Sequence, residues 1–299
     1  MLALALPSHA QPTIGQISGQ AVYSLTQQLL TVAPKRFNGS PGHFAAEKFI
    51  ADHFKPEAAK GNFEKDEFTV NTPAGPQTMR NYIAKFPGKK DGIIVLASHY
   101  ETNYPLREIN FVGANDGACT TALLISIGQY LRAHPPQGYS VWLVFDDGEE
   151  AVQQWTANNG HDNLYGTRHL AAKWYTDGTD RRIKAFIVAD MIGDKDLNIF
   201  QEQNSTPWLR DILHQAAANT HHAANLAKQD GYEEDDHLPF LQRGVPSLDV
   251  IDIDYGPHTA SQPDGYHHTP QDTIDKLTAG SLQISGSVIL ETIQLLDAR

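Results

Sequence analysis

Cysteine is nearly absent: Cys119 stands alone in 299 residues. That excludes an intramolecular disulfide and a Cys-based zinc finger. Basic side chains are also scarce, with 23 Lys and Arg against 35 Asp and Glu and a formal net charge of −12. Nothing in that balance would track a phosphate backbone, so no nucleic-acid partner is expected. No apolar run is long enough for a membrane span, so none is expected. Internal repeats and low-complexity tracts are missing as well. What is there is a 40% hydrophobic content, enough for a sizeable core. There are also 14 histidines. Together with the excess carboxylate they are the raw material of a hard or borderline metal site.

Residues 1–10 read as the end of a secretory signal. An apolar stretch leads to a small-x-small site at Ser8-His9-Ala10, without the basic segment that opens a full signal. The expectation is an exported protein, periplasmic or secreted, with one domain over residues 11–299. Apolar spacing predicts an amphipathic helix over 14–31. Ser40-Pro41 opens a second helix, with Ser as cap and Pro in the first turn. Residues 63–70 and 79–86 alternate and read as strands. Further on, buried strands over 92–99, 139–145, 183–188 and 247–251 alternate with helices over 119–131, 164–174, 208–218 and 281–296. This pattern predicts an α/β fold, a single globular domain with a central, mostly parallel mixed sheet and helices on both faces.

Ligands of open α/β sheets bind beyond the carboxyl ends of the strands. His99 follows one strand, Glu149 and Glu150 a second, and Asp190 a third. Asp116 lies in the loop before a helix, and His267 and His268 lie in the loop before the last helix. Carboxylates packed together repel one another unless a cation or a proton intervenes. Mixed His, Asp and Glu donors without Cys suit a catalytic zinc. Taken singly, each has a plainer reading. His99 reads as a satisfied structural residue, residues 146–150 as a solvated turn, and Asp235-Asp236-His237 as a helix cap. Their joint occurrence at successive strand ends favours a site. Cys119, Trp174 and Tyr175 read as core packing, His221-His222 as a solvated loop, and His258 as a residue near the site.

Four segments together carry a resemblance. They are Phe145-Asp146-Asp147-Gly148-Glu149-Glu150-Ala151; Trp155; residues 164–173 (Leu-Tyr-Gly-Thr-Arg-His-Leu-Ala-Ala-Lys); and residues 235–246, followed by His268-Thr269. They resemble the animal-type glutaminyl-peptide cyclotransferases, or glutaminyl cyclases, which are built on the zinc-dependent aminopeptidase fold. The likeness runs from about Asn81 to the C-terminus. Residues 164–173 and Trp155 are particular to the cyclase branch.

The resemblance implies an enzyme that closes the N-terminal glutamine of peptides and proteins to pyroglutamate with release of ammonia. It implies one zinc ion per chain, held by Asp116, Glu150 and His268. Glu149 is then the general acid/base, with Asp190 and Asp235 in a carboxylate network beside it. Trp155 lines the glutamine pocket. The chain departs from the family in two places. His267 stands where the cyclases carry a Trp before the ligand His, so Tyr266 and His267 are the expected replacements in the substrate-binding wall. The loop Gly231-Tyr232-Glu233-Glu234 is also more acidic than the family pattern. The carboxylates are expected to titrate as a coupled group that keeps at least one proton near neutrality.

A two-zinc aminopeptidase is the rival reading. His99 and Asp190 would hold a second zinc, Asp116 would bridge, and Glu149 would activate a water. Glu101 stands where those enzymes carry an Asp two residues after the first His. An inactive binding module would normally have lost a ligand or the acid/base, yet Asp116, Glu149, Glu150 and His268 are all present. A monomer is expected.

Overall fold

The computed structural model describes residues 16–299. Its strands are β1 (Phe63–Thr72), β2 (Gly75–Phe86), β3 (Ile93–His99), β4 (Ser140–Asp146), β5 (Ile183–Asp190), β6 (Ile199–Glu202), β7 (Leu226–Gly231) and β8 (Ser247–Ile251). Six of them form one sheet in the order β1-β2-β4-β3-β5-β8, while β6 and β7 pair separately. The helices are α1 (Gly19–Val32), α2 (Pro41–His53), α3 (Lys55–Ala58), α4 (Cys119–Ala133), α5 (Ala157–Gly160), α6 (Tyr165–Asp177), α7 (Pro207–Asn219), α8 (Leu238–Leu241) and α9 (Ala279–Asp297).

The central place of β3 follows from its sequence. Every one of its residues is buried, so it has no face to offer water. Successive side chains point to opposite faces. Ile94 and Leu96 join the core under α1, α4, α7 and α9, while Ile93, Val95 and Ala97 join the core under α6 and α8. On that second face the Phe186 and Phe240 rings stack at 3.8 Å. Helices thus cover both faces, as expected for this class.

The sheet is mixed and mostly parallel, as expected: β4-β3, β3-β5 and β5-β8 run parallel, and β1-β2 and β2-β4 run antiparallel. The start of the first helix and the place of Tyr175 need correction. Helix α1 starts at Gly19, because the Ser18 side chain accepts the Ala21 N–H and caps it there. Tyr175 is 60% exposed although its neighbour Trp174 is buried. A helix turns about 100° per residue, which carries Tyr175 off the buried face that holds Trp174. Cys119 is buried in the core, with its thiol donating to the Asn115 carbonyl. The Ser8-His9-Ala10 segment lies outside the described residues. Among the described residues no helix is long and apolar enough to cross a membrane.

One buried contact ties the N-terminal helices to the turn after β4. Ser40 caps α2 and sets its first turn. His43, fully buried there, places Nε2 2.9 Å from Asp147 Oδ1. Asp147 also accepts the Arg80 N–H, and its own N–H donates to Asn81 Oδ1. Burial opposes charge on His43, but the Asp147 carboxylate outweighs it and the imidazole pKa is raised. A raised folded pKa stabilises fully below the unfolded value, and that contribution is lost as pH rises through the folded pKa. The stability advantage of the wild type over His43→Asn is therefore expected to shrink as pH climbs above about 6.5. At lower pH the variant should lose about 3–5 kcal/mol, the usual loss when one partner of a buried pair is removed. Thermal melts of both proteins across that range check it. A pH-independent difference would show that the pair carries no charge.

Candidate active site

The parallel strands β3, β4 and β5 end at one edge of the sheet, in His99, Asp146 and Asp190. After β4 the chain turns at Gly148, which has φ +76°. The N–H groups of Tyr165 and Leu164 close this turn onto the carbonyls of Gly148 and Glu149. Asp116 sits in a kinked turn before α4, followed by Gly117 at φ +86°. A Cβ on Gly117 would lie 2.9 Å from the His99 ring, so only glycine lets the turn approach that imidazole.

Three of the residues assigned from sequence meet directly. His268 Nε2 lies 2.8 Å from Glu150 Oε1 and 3.4 Å from Asp116 Oδ2. His99 Nε2 lies 3.1 Å from Asp116 Oδ1 and 3.3 Å from Asp190 Oδ1. Asp116 is therefore shared by two donor groups, one ending in His268 and the other in His99. A cavity of about 340 Å³ opens over them. Its wall includes Asp116, Glu149, Glu150, Asp190, Asp235 and His268, with Trp155 and His267 at the sides. Ile251, Ile253 and Met191 supply its apolar part.

The sequence model of peptidase family M28 matches residues 81–293. The chain belongs to peptidase family M28. Within that family it is 32% identical to a glutaminyl-peptide cyclotransferase-like protein of Mus musculus, over 87% of this chain and 71% of the other. It is 30% identical to the Bos taurus protein of the same description, over 86% and 73%. The crystal structure of an Acidobacteriales bacterium glutaminyl cyclase is 65% identical, with a TM-score of 0.94, covering 99% of this chain and 100% of that one. The resemblance to glutaminyl cyclases and the aminopeptidase-like fold are both borne out.

The M28 site is a dense set of charges. Burial pushes the Asp116 carboxyl up, but the facing His268 and His99 imidazoles outweigh it and hold it well below the usual range. Both imidazoles respond in kind: burial opposes their charge, yet the facing carboxylates raise them well above the ordinary value. Glu149 has no such partner. Burial, then the charge of Glu150, drives its carboxyl well above the usual range. Asp190 is raised by burial against the opposing His99 hydrogen bond. Asp235 is pushed up to about 6 by burial and then by Asp190. These directions are those expected of a cluster that shares protons.

The donor set suits the zinc ion common to this fold. Asp116 Oδ2 is buried without a hydrogen-bond donor. An unmatched buried carboxylate oxygen is costly, and a cation satisfies it. Two oxygens and one imidazole nitrogen, with no sulfur, form the donor type of a catalytic zinc with an open position. His99, Asp116 and Asp190 offer a second group, with ligand atoms within 4.8 Å of one another. His43, Glu47 and Asp147 are equally close. There, however, Arg80 already pairs with Glu47 at 3.1 Å and donates its N–H to Asp147. That group is a structural ion network.

One expected wall residue is misplaced. Tyr266 does not line the cavity. Its ring packs edge-on against Tyr255 at 5.4 Å, with the Lys276 ammonium 5.3 Å from its centre. His268 has φ +55°, and this left-handed turn stacks its ring on His267 at 3.8 Å. Of Tyr266 and His267, only His267 lines the cavity. Asn103 and Phe111 escaped the sequence reading. Asn103 Nδ2 donates to Glu150 Oε2 at 2.6 Å, and the Phe111 ring meets His268 edge-on. Glu101 accepts the Glu150 N–H, and Asp146 is buried against Asp236. Neither Asn103 nor Phe111 belongs to a motif that spacing could single out. Trp155 is anchored by its indole N–H, which donates to Glu234 Oε2 at 2.7 Å.

Proposed function

We propose that this protein is a zinc-dependent glutaminyl cyclase that converts the N-terminal glutamine of peptides and proteins to pyroglutamate and releases ammonia. The observation that carries this reading is the meeting of Glu149, Trp155 and the donors Asp116, Glu150 and His268 around one cavity. A zinc ion held by those donors would polarise the side-chain amide carbonyl and support the developing oxyanion.

The reaction forms a bond from the α-nitrogen to the side-chain carbonyl carbon and breaks the bond to the amide nitrogen. One proton must leave the amine, and one must reach the departing nitrogen. Glu149 lines the cavity and can do both in turn. Its burial keeps its proton affinity high, which suits a group that must accept a proton and then return it. Asp235 keeps negative charge beside it and so helps to hold that affinity up, with Asp190 acting in turn on Asp235. Trp155, tied at its nitrogen to Glu234, presents its ring to the glutamine side chain and favours the folded, near-attack conformer.

Mass spectrometry of a peptide beginning with Gln tests the reading. Loss of one ammonia from an intact chain is the expected result. Trp155→Ala should raise KM and lower turnover together, roughly ten-fold or more in kcat/KM, with metal content unchanged. A variant that loses its metal would overturn the role given to Trp155.

The second reading is a two-zinc aminopeptidase, favoured by the His99, Asp116 and Asp190 group. Release of the whole first residue from the same peptide would select it.

A further inference from the structure

The cavity does not stop at the glutamine site. A second hollow of about 430 Å³ continues along the same wall and shares Ile253 and His267 with it. A peptide whose first residue fills the inner cavity would lead its next residues into this space. Among the described residues no Lys or Arg lines either part. The inner wall carries Glu233 and Glu234, and the outer hollow carries Asp254 and Asp264.

These four acids are not equivalent. Glu234 is engaged by the Trp155 indole at 2.7 Å, and Asp254 by His258 Nε2 at 2.8 Å. Glu233 is half-buried, and the charges nearest to it, Asp235, Glu202 and Asp190, are of its own sign, with only His237 opposing them. Asp264 is exposed at the lip. Deeper in the same cavity, Asp235 is only 4% exposed and its Oδ2 has no donor. The groove therefore sets four rim carboxylates against the imidazoles of His258 and His267, of which His258 is already paired with Asp254, and deeper inside one Asp235 oxygen has no donor.

We infer that the groove selects peptides in which Lys or Arg follows the N-terminal glutamine within the next one or two positions, with Glu233 and Asp264 as the specificity-determining carboxylates. The inference rests on the cyclase reading of the inner cavity. The amine of the substrate answers the acids within, and the cationic side chain answers those at the rim. An acidic residue at the same place meets like charge instead. A solvent-exposed ion pair changes affinity by up to roughly five-fold, and salt screens it.

The test compares kcat/KM for three peptides of equal length, beginning Gln-Ala, Gln-Lys and Gln-Glu. At low ionic strength Gln-Lys should exceed Gln-Glu by about ten-fold, chiefly through KM. The ratio should fall toward one near 1 M salt, where the screening length is about 3 Å. In the double variant Glu233→Gln, Asp264→Asn the ratio should drop at least about three-fold at low salt. Equal rates on Gln-Lys and Gln-Glu, with Gln-Ala cyclised, would overturn the inference alone. So would a preference that survives intact in the double variant. Failure to cyclise Gln-Ala would overturn the cyclase reading and the inference with it.

Discussion

Replacing Glu149 by Gln is expected to lower turnover by roughly 10²- to 10⁴-fold, the range spanned by a single general acid/base. The substitution keeps the size of the side chain and removes only its ability to take up a proton. Glu149 is not among the donors that meet at His268, so the metal content of the variant should match the wild type. KM should move far less than kcat, because the proton transfer belongs to the transition state and not to the bound ground state. Rates on a Gln-initiated peptide, with elemental analysis on the same sample, decide the matter. Near-normal turnover in a metal-replete variant would show that another group of the cavity moves the proton, with Asp235 the next choice on position.

His268→Ala carries the second large effect. His268 touches both Glu150 and Asp116, so its loss leaves buried Glu150 without a cationic partner and Asp116 with His99 alone. The variant should bind zinc poorly and lose about 10³-fold or more in activity, since a metal ion supplies several kcal/mol of charge stabilisation. A strong chelator should do the same to the wild type, and added zinc should restore it. Elemental analysis of the wild type also counts the ions. One per chain fits the group around His268, while two would mean that His99, Asp116 and Asp190 are filled as well. A chelated protein that keeps full activity would remove the metal from the mechanism.

The fold was legible where the chain is monotonous. The apolar runs ending in His99, Asp146 and Asp190 can only be strands covered on both faces, and their polar last residues mark the site edge. Strand direction was harder to read, because an alternating strand such as β1 looks the same whether its partner runs parallel or antiparallel. The β6-β7 pair, short and irregular in register, carries no periodic signal. At the site, Asp116, Glu149, Glu150 and His268 stood out through the family likeness. Asn103 did not, because its contact with Glu150 spans 47 residues. The split between Tyr266 and His267 turns on the left-handed backbone at His268. Residue type alone does not announce such a conformation, since non-glycine residues rarely adopt it.

The clamp between His43 and Asp147 bears on where this protein can be divided. The family model begins at residue 81, yet the helix that grips the turn carrying Glu149 lies before it, at residues 41–53. A fragment trimmed to residues 81–293 would keep every proposed metal donor and the proposed acid/base. It would lose His43, strand β1, and the packing of α1 against α9. Asp147 would then be left with fewer partners, at the head of the turn that must hold Glu149 and Glu150 in place. The smallest piece that similarity recognises is thus smaller than the smallest piece able to work, and a dissection of this enzyme has to begin ahead of α2.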